Sequence, residues 1–285
     1  MKTNKILVVI SEWGYWGEEF VGPYDVLKKA GYEFDFVTAY GRKPPALSIS
    51  MIEDLFDPAI HRPITSAHFA NRTKEVDQSD LLANPIDLSK WVPLKPYFNS
   101  PNFGHALEEY NAQIKEIWKG LEKYDALLLP GGSGAMIDMV NNERLHAIIL
   151  GFLHLNKLIA AECYSVGCLT QARDWTERTS IISGKHITGH CLEYDYKDGT
   201  IFAQMYDFDG KPMNTTANFG PPPYVLEYIL RDAVGPEGKY HGGVGEYTSA
   251  ILDYPFLTGR SLQESTMIGE LMIEVLENGL KRYGW

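Results

Sequence analysis

The sequence predicts an α/β fold: a doubly wound, mostly parallel sheet with helices on both faces and a cap inserted after the second strand. Three observations predict it. Short unbroken apolar runs alternate with helical stripes along most of the 285 residues. Pro and Gly stand where such helices start and stop. The apolar run Leu158 to Ala161 also turns, at Cys163, straight into a helical pattern from Val166 to Ala172.

In order, Lys5 to Ile10 is a β-branched and Leu run, as a central parallel strand requires. Pro23 opens a helix through Ala30, Gly31 ends it, and Glu33 to Val37 is the second strand. From Gly41 to Gly104 the periodicity dissolves among eight prolines, while Phe56, Phe69, Trp91, Tyr97, Phe98 and Phe103 argue for an ordered cap. Leu107, Tyr110, Ile114, Ile117 and Leu121 then fall on one helical stripe, which reads as core-facing. Ala126 to Leu129 is the third strand, Glu143 to Leu155 a helix, and Ile181 to Thr188 and Thr200 to Tyr206 are strands with a turn at Asp209-Gly210. Pro222 to Ala233 is helical. A hairpin at Asp253-Tyr254-Pro255 delivers a strand ending at Gly259, and Ser261 caps a closing helix to Leu280. One domain, 1–285, accounts for the chain, with 41–104 its cap.

Composition narrows the function. A hydrophobic content of 45% can fill a large α/β core, and a formal charge of −11 without any Lys/Arg run disfavours nucleic acid. Cys163, Cys168 and Cys191 are odd in number and lack framework spacing, which points to free thiols in a reducing, cytoplasmic setting. The apolar run Ile6 to Ile10 is too short for a signal peptide or a membrane span.

In such a sheet, chemistry gathers outside the carboxyl ends of the strands. Four ends are informative: Ser11 to Phe20, with Trp13, Tyr15, Trp16 and three carboxylates; Gly131-Gly132-Ser133-Gly134; Cys163; and His190-Cys191. A cysteine at a strand-to-helix junction is either a small core thiol or a nucleophile whose thiolate the helix amides favour. The glycine turn lacks the features of a phosphate loop; it is either a plain tight turn or a set of amides approaching an oxyanion. His186, His190, Cys191 and Glu193 have metal-ligand chemistry, but the spacing on an extended strand does not bring them to one ion. Pro221-Pro222-Pro223-Tyr224 reads as helix initiation rather than a proline-rich ligand.

Several segments resemble the ThiJ/PfpI superfamily, in particular its heat-shock chaperone and glyoxalase branch. They are Glu18 to Gly31, Gly41 to Pro45, Tyr124 to Gly134, the Cys163 junction, Ser183 to Gly189 and Leu257 to Ser261. The resemblance implies a flavodoxin-like, class I glutamine amidotransferase-like domain, often a homodimer. It further implies Cys163 as nucleophile, Glu19 as the carboxylic acid beside the sulfur, and the amides of Gly132 and Tyr164 as the oxyanion site. The sequence departs from the branch at Tyr164, where histidine is expected, and at Glu162, where an apolar residue is expected. His190 is then the expected histidine, with His186 behind it and Trp13, Tyr15 and Trp16 lining the substrate pocket. The expected activity is cofactor-independent and metal-free conversion of a small electrophile, such as a 2-oxoaldehyde to a 2-hydroxy acid. The alternatives are a redox-sensing or holdase chaperone, or an amide or isonitrile hydrolase or hydratase.

Overall fold

In the computed structural model, residues 3–57, 61–173, 178–193, 202–206, 212–218, 225–243, 249–260 and 265–285 are described. The chain runs β1 (Lys5–Val9), α1 (Gly17–Lys29), β2 (Glu33–Thr38), β3 (Phe56–Asp57), β4 (Arg62–Pro63), α2 (Ala67–Gln78), β5 (Ile86–Asp87), α3 (Leu88–Trp91), α4 (Phe103–Gly120), β6 (Ala126–Leu129), α5 (Ala135–Asp138) and α6 (Glu143–His154). It continues with β7 (Leu158–Glu162), α7 (Gly167–Gln171), β8 (His186–Ile187), β9 (Phe202–Tyr206), β10 (Pro212–Asn218), α8 (Leu226–Val234), β11 (Lys239–Tyr240), β12 (Ala250–Asp253), β13 (Phe256–Gly259), α9 (Ser265–Asn278) and β14 (Arg282–Tyr283). The expected Asp209-Gly210 turn, the Pro221–Pro223 helix start and the Ser261 cap lie outside the described residues.

Eight strands form the main sheet, in the order β14-β12-β13-β7-β6-β1-β2-β5. From β13 to β5 every neighbouring pair is parallel, and β12 and β14 add an antiparallel edge. Alternation along the strands sorts the core into two layers. Leu7, Val9, Leu127, Leu129, Ile159 and Ala161 face a layer filled from α4, α6, α7 and α8. Ile6, Val8, Ala126, Leu128, Leu158 and Ala160 face the layer under α1 and α9. A fully buried leucine such as Leu127 or Leu128 contributes about 2 kcal/mol by leaving water.

Helix α1 starts at Gly17, six residues before the expected Pro23. The Gly17 N–H donates to the Ser50 hydroxyl (3.0 Å), which supplies a partner to the first turn from far along the chain. Pro23 therefore sits inside the helix and has no N–H to offer to the turn before it. Glu19 thus lies in the first turn, where the helix amides point.

The segment 41–104 is built into the domain rather than only laid over it. Its β5 extends the main sheet beside β2. Its α2 packs on α1: Arg72 forms a two-pronged pair with Asp25 (2.8 and 2.8 Å), and Thr73 fills the space beside Gly17. Ile181–Gly184 is a turn, not a strand; only His186 and Ile187 are extended, and they pair with β11 in a small separate sheet. Among the described residues no helix is long and apolar enough to cross a membrane.

Candidate active site

Strand β7 ends at Glu162, and the chain turns so sharply at Cys163 that its φ is +52°. A left-handed backbone at a non-glycine residue costs on the order of 1–2 kcal/mol. Ser165 holds the turn closed. Its hydroxyl accepts the Glu162 N–H (3.1 Å) and lies 2.5 Å from the Leu129 carbonyl and 2.7 Å from that of Glu162. The Glu162 side chain, fully buried, accepts the Ser165 backbone N–H, completing a capping box, and a hydrogen bond from Ser265 Oγ (2.8 Å) at the start of α9. A carboxylate can therefore stand where an apolar residue was expected.

The Cys163 sulfur meets groups from three other parts of the chain. His190 Nδ1 lies 3.3 Å away. The Glu19 carboxyl hydrogen-bonds the thiol, and the amides of Gly132 and Tyr164 donate to the sulfur. Burial first, and the Glu19 charge second, push the Cys163 thiol well above its ordinary value, while the two amides pull it down. This runs against the expected lowering of the thiol: the helix amides do not offset removal from water beside a carboxylate. Deprotonation then requires a base in contact with the sulfur, a position His190 occupies.

Tyr164 does not replace the expected histidine; it supports the one that is there. Its ring stacks on the His190 imidazole with centroids 3.9 Å apart and planes at 27°. Such a contact contributes about 0.5–1.5 kcal/mol and fixes the imidazole plane. Both residues are buried.

Glycines let the walls close on the sulfur. A Cβ on Gly131 would overlap Glu19 Oε2, the Glu162 carbonyl and Cys163 Cβ. Gly132 has φ +104°, and a Cβ there would strike the backbone of Tyr15 and Trp16. The loop after β1 is thus laid directly on the loop after β6, and Trp16 N–H donates to the Gly131 carbonyl (3.1 Å). Along that loop Tyr15 turns inward. It is fully buried, packs edge-on against Phe20 and bridges Ala46 through the backbone. It is a core residue; Trp13 and Trp16 in the same loop are half-buried. Glu12, the first carboxylate of the loop, is consumed by Arg42 (2.7 Å) and by the N–H groups of Tyr40 and Arg42.

His186 is not brought to the thiol. Its ring stacks on Trp285 (3.5 Å), its Nδ1 lies 2.9 Å from His241 Nε2, and its N–H donates to Asp253. Asp253 pairs with Phe256 at the start of β13, so His186 sits near the amino edge of the parallel strands. His190, four residues on and past the end of β8, stands beside the thiol at the carboxyl edge. Among the described residues no group of three or more His, Cys, Asp or Glu side chains could hold a metal ion.

Two residues near the site escaped the sequence. Tyr240 donates its hydroxyl to the Gly189 carbonyl (3.0 Å), and Glu227 accepts the Leu192 N–H (2.9 Å). Glu227 also pairs with Arg231 (2.7 Å). An i, i+4 Glu–Arg pair on a helix reads as solvent-facing, and nothing in the sequence marks Glu227 as buried.

The fold and the Cys163 junction define a class: α/β proteins with a cysteine on a strained elbow at the carboxyl edge of a parallel sheet. A family model described as ThiJ/PfpI family-like matches residues 10–209, more than half of the chain, and the chain belongs to that family. No curated protein matches the sequence. Solved structures share the fold. The rapid encystment protein of 24 kDa from Francisella tularensis aligns at 20% identity and TM-score 0.62 over 97% of this chain and 99% of that one. Glyoxalase III from Candida albicans aligns at 16% and 0.60 over 97% and 98%. A ThiJ/PfpI domain protein from Brachyspira murdochii aligns at 13% and 0.55 over 98% and 99%.

Proposed function

We propose that the protein is a cofactor-independent cysteine enzyme of glyoxalase type that converts a small 2-oxoaldehyde to the 2-hydroxy acid. The observation that carries this reading is the buried thiol of Cys163 in contact with an imidazole, a carboxyl group and two amide donors at once. That set matches the demands of thiol addition to a carbonyl.

In this reading Cys163 Sγ adds to the aldehyde carbon while its proton passes to His190 Nδ1. The new oxyanion is stabilised by the Gly132 and Tyr164 amides and takes a proton to give the hemithioacetal. A base then removes the proton on the former aldehyde carbon, and that proton's return to the adjacent ketone carbon yields a thioester. The aldehyde carbon is oxidised and the ketone carbon reduced, so the electrons balance within the substrate. One water hydrolyses the thioester, releasing the 2-hydroxy acid and the Cys163 thiol. Glu19, hydrogen-bonded to the sulfur, holds the thiol in place and keeps a second anion from forming beside it at rest. The glyoxalase among the structural neighbours is in keeping with this reading and does not carry it. Incubation with methylglyoxal, with lactate as the readout, is the test: lactate is expected, and its absence over a range of 2-oxoaldehydes overturns the assignment.

A second reading, a holdase chaperone, is favoured by one observation. Leu94, Tyr97 and Phe98 stand 56%, 70% and 84% exposed within five residues. Suppression of aggregation of an unfolded client, lost on replacing these three by Ser and indifferent to Cys163→Ser, would support it.

A further inference from the structure

The loop from Thr188 to Leu192 follows β8 and carries His190, and it has little regular structure of its own. It is nevertheless held at almost every residue. Thr188 N–H donates to Thr258 Oγ1 (3.0 Å), and its hydroxyl donates to the His241 carbonyl (2.6 Å). A Cβ on Gly189 would press on Leu230 and Val166. The His190 N–H reaches back to the Cys163 carbonyl (3.4 Å). The two side-chain contacts on the far side of the loop are those of Tyr240 and Glu227, which are 3% and 5% exposed.

These two come from different elements and form one unit. Tyr240 on β11 caps the carbonyl of Gly189, with the His190 carbonyl 3.4 Å from the same hydroxyl. Glu227 on α8 takes the Leu192 N–H on one oxygen and Arg231 on the other, and the Arg231 guanidinium lies over the Tyr240 ring at 5.1 Å. One contact thus precedes His190 and the other follows it. Burying a carboxylate and a phenol to hold backbone groups is costly unless every partner is met, and here the partners are loop atoms flanking the imidazole.

We propose that Tyr240 and Glu227 are positioning residues that clamp the loop on both sides of His190 and so set the distance and angle between its Nδ1 and the Cys163 thiol. The proposal rests on the reading of His190 as the base that takes the thiol proton. A displacement of about 1 Å in such a pair costs on the order of a hundredfold, so a clamp that removes slack is worth its burial.

The test is the rate of Cys163 alkylation by iodoacetamide against pH, followed by peptide mapping so that Cys168 and Cys191 are scored separately. The groups around the thiol that shape this profile are Glu19 and His190, with Tyr240, Glu227, Arg231 and Arg260 behind the loop. Tyr240→Phe keeps the ring and removes the hydroxyl. Its profile should move toward that of His190→Ala, with the neutral-pH rate down on the order of tenfold and the melting profile near wild type. Glu227→Gln retains an acceptor for Leu192 N–H and should keep the wild-type profile, whereas Glu227→Leu should follow Tyr240→Phe. If His190→Ala shifts the profile while Tyr240→Phe and Glu227→Leu do not, the clamp is overturned and the base stands. If His190→Ala leaves the profile unchanged, the base itself falls, and the clamp with it. Should Tyr240→Phe fail to fold, the Gln and Leu variants at Glu227 decide the matter: equal profiles reject the clamp, divergent ones uphold it.

Discussion

Cys163 Sγ and His190 Nδ1 lie 3.3 Å apart although 27 residues separate them in the chain. The contact crosses from the elbow after β7 to a loop outside the main sheet. Both ends are fixed, the cysteine by its strained turn and the histidine by the Tyr164 ring stacked on it. Burial and Glu19 hold the thiol above its ordinary pKa.

A first prediction follows for Tyr164. Tyr164→Phe keeps the stacked ring and its backbone amide, and should retain most activity. Tyr164→Ala frees the imidazole and should lower kcat about tenfold or more with KM little changed. Steady-state kinetics on a 2-oxoaldehyde would distinguish them; equal rates for the two variants would remove the stack from the account.

Glu19 separates charge from hydrogen bonding. Removing the Glu19 charge takes away the second-largest of the causes that raise the Cys163 pKa, while an amide still fills the space. In Glu19→Gln the thiol should therefore titrate lower than in wild type, visible as faster iodoacetamide reaction at neutral pH. Turnover should fall all the same, by roughly tenfold, because a proton donor and acceptor has gone. A higher thiol pKa in Glu19→Gln would contradict this electrostatic assignment.

Gly131→Ala tests the closeness of the walls. The added methyl would overlap Glu19 Oε2, the Glu162 carbonyl and Cys163 Cβ, so something must shift. The expected cost is about 1–3 kcal/mol of stability together with near-complete loss of turnover. A fully active Gly131→Ala protein of wild-type melting temperature would show that the approach is looser than described.

At the opposite edge, burial, followed by the charges of His186, Lys239 and Arg260, lowers the His241 pKa from 6.5 to about 4. The unfolded chain then binds more protons than the folded one between these values. Stability from this group is present above about pH 6.5 and is lost as pH falls toward 4. Thermal melts should therefore drop over that window, and His241→Asn should lessen the drop. Identical pH dependence in the two proteins would contradict the assignment.

Much of this was legible in the sequence, and the exceptions have physical causes. Runs such as Ala126–Leu129 and Leu158–Glu162 are buried on both faces, so their composition betrays them. The meeting of Glu19, Gly132, Cys163 and His190 was readable because parallel strands end on one edge. Helix α2 was not, since it buries only Ala70, Thr73 and Val76 and is otherwise polar. The start of α1 was missed because its partner, Ser50, arrives from a distant loop. Tyr15 and His186 were assigned to the pocket because residue type does not reveal which way an extended segment faces. The raised Cys163 thiol was missed for a related reason: amide donors can be read from a junction, whereas the degree of burial cannot.

Whether Cys163 is the covalent nucleophile is decided by trapping its adduct with substrate. The protein is mixed with methylglyoxal, quenched in acid within the first turnovers, and Cys163 is mapped by peptide mass spectrometry while lactate is measured in parallel. A substrate-sized mass gain is expected on the Cys163 peptide, absent from those of Cys168 and Cys191, with both adduct and lactate abolished in Cys163→Ser. Lactate formed at an undiminished rate by Cys163→Ser would contradict the covalent role.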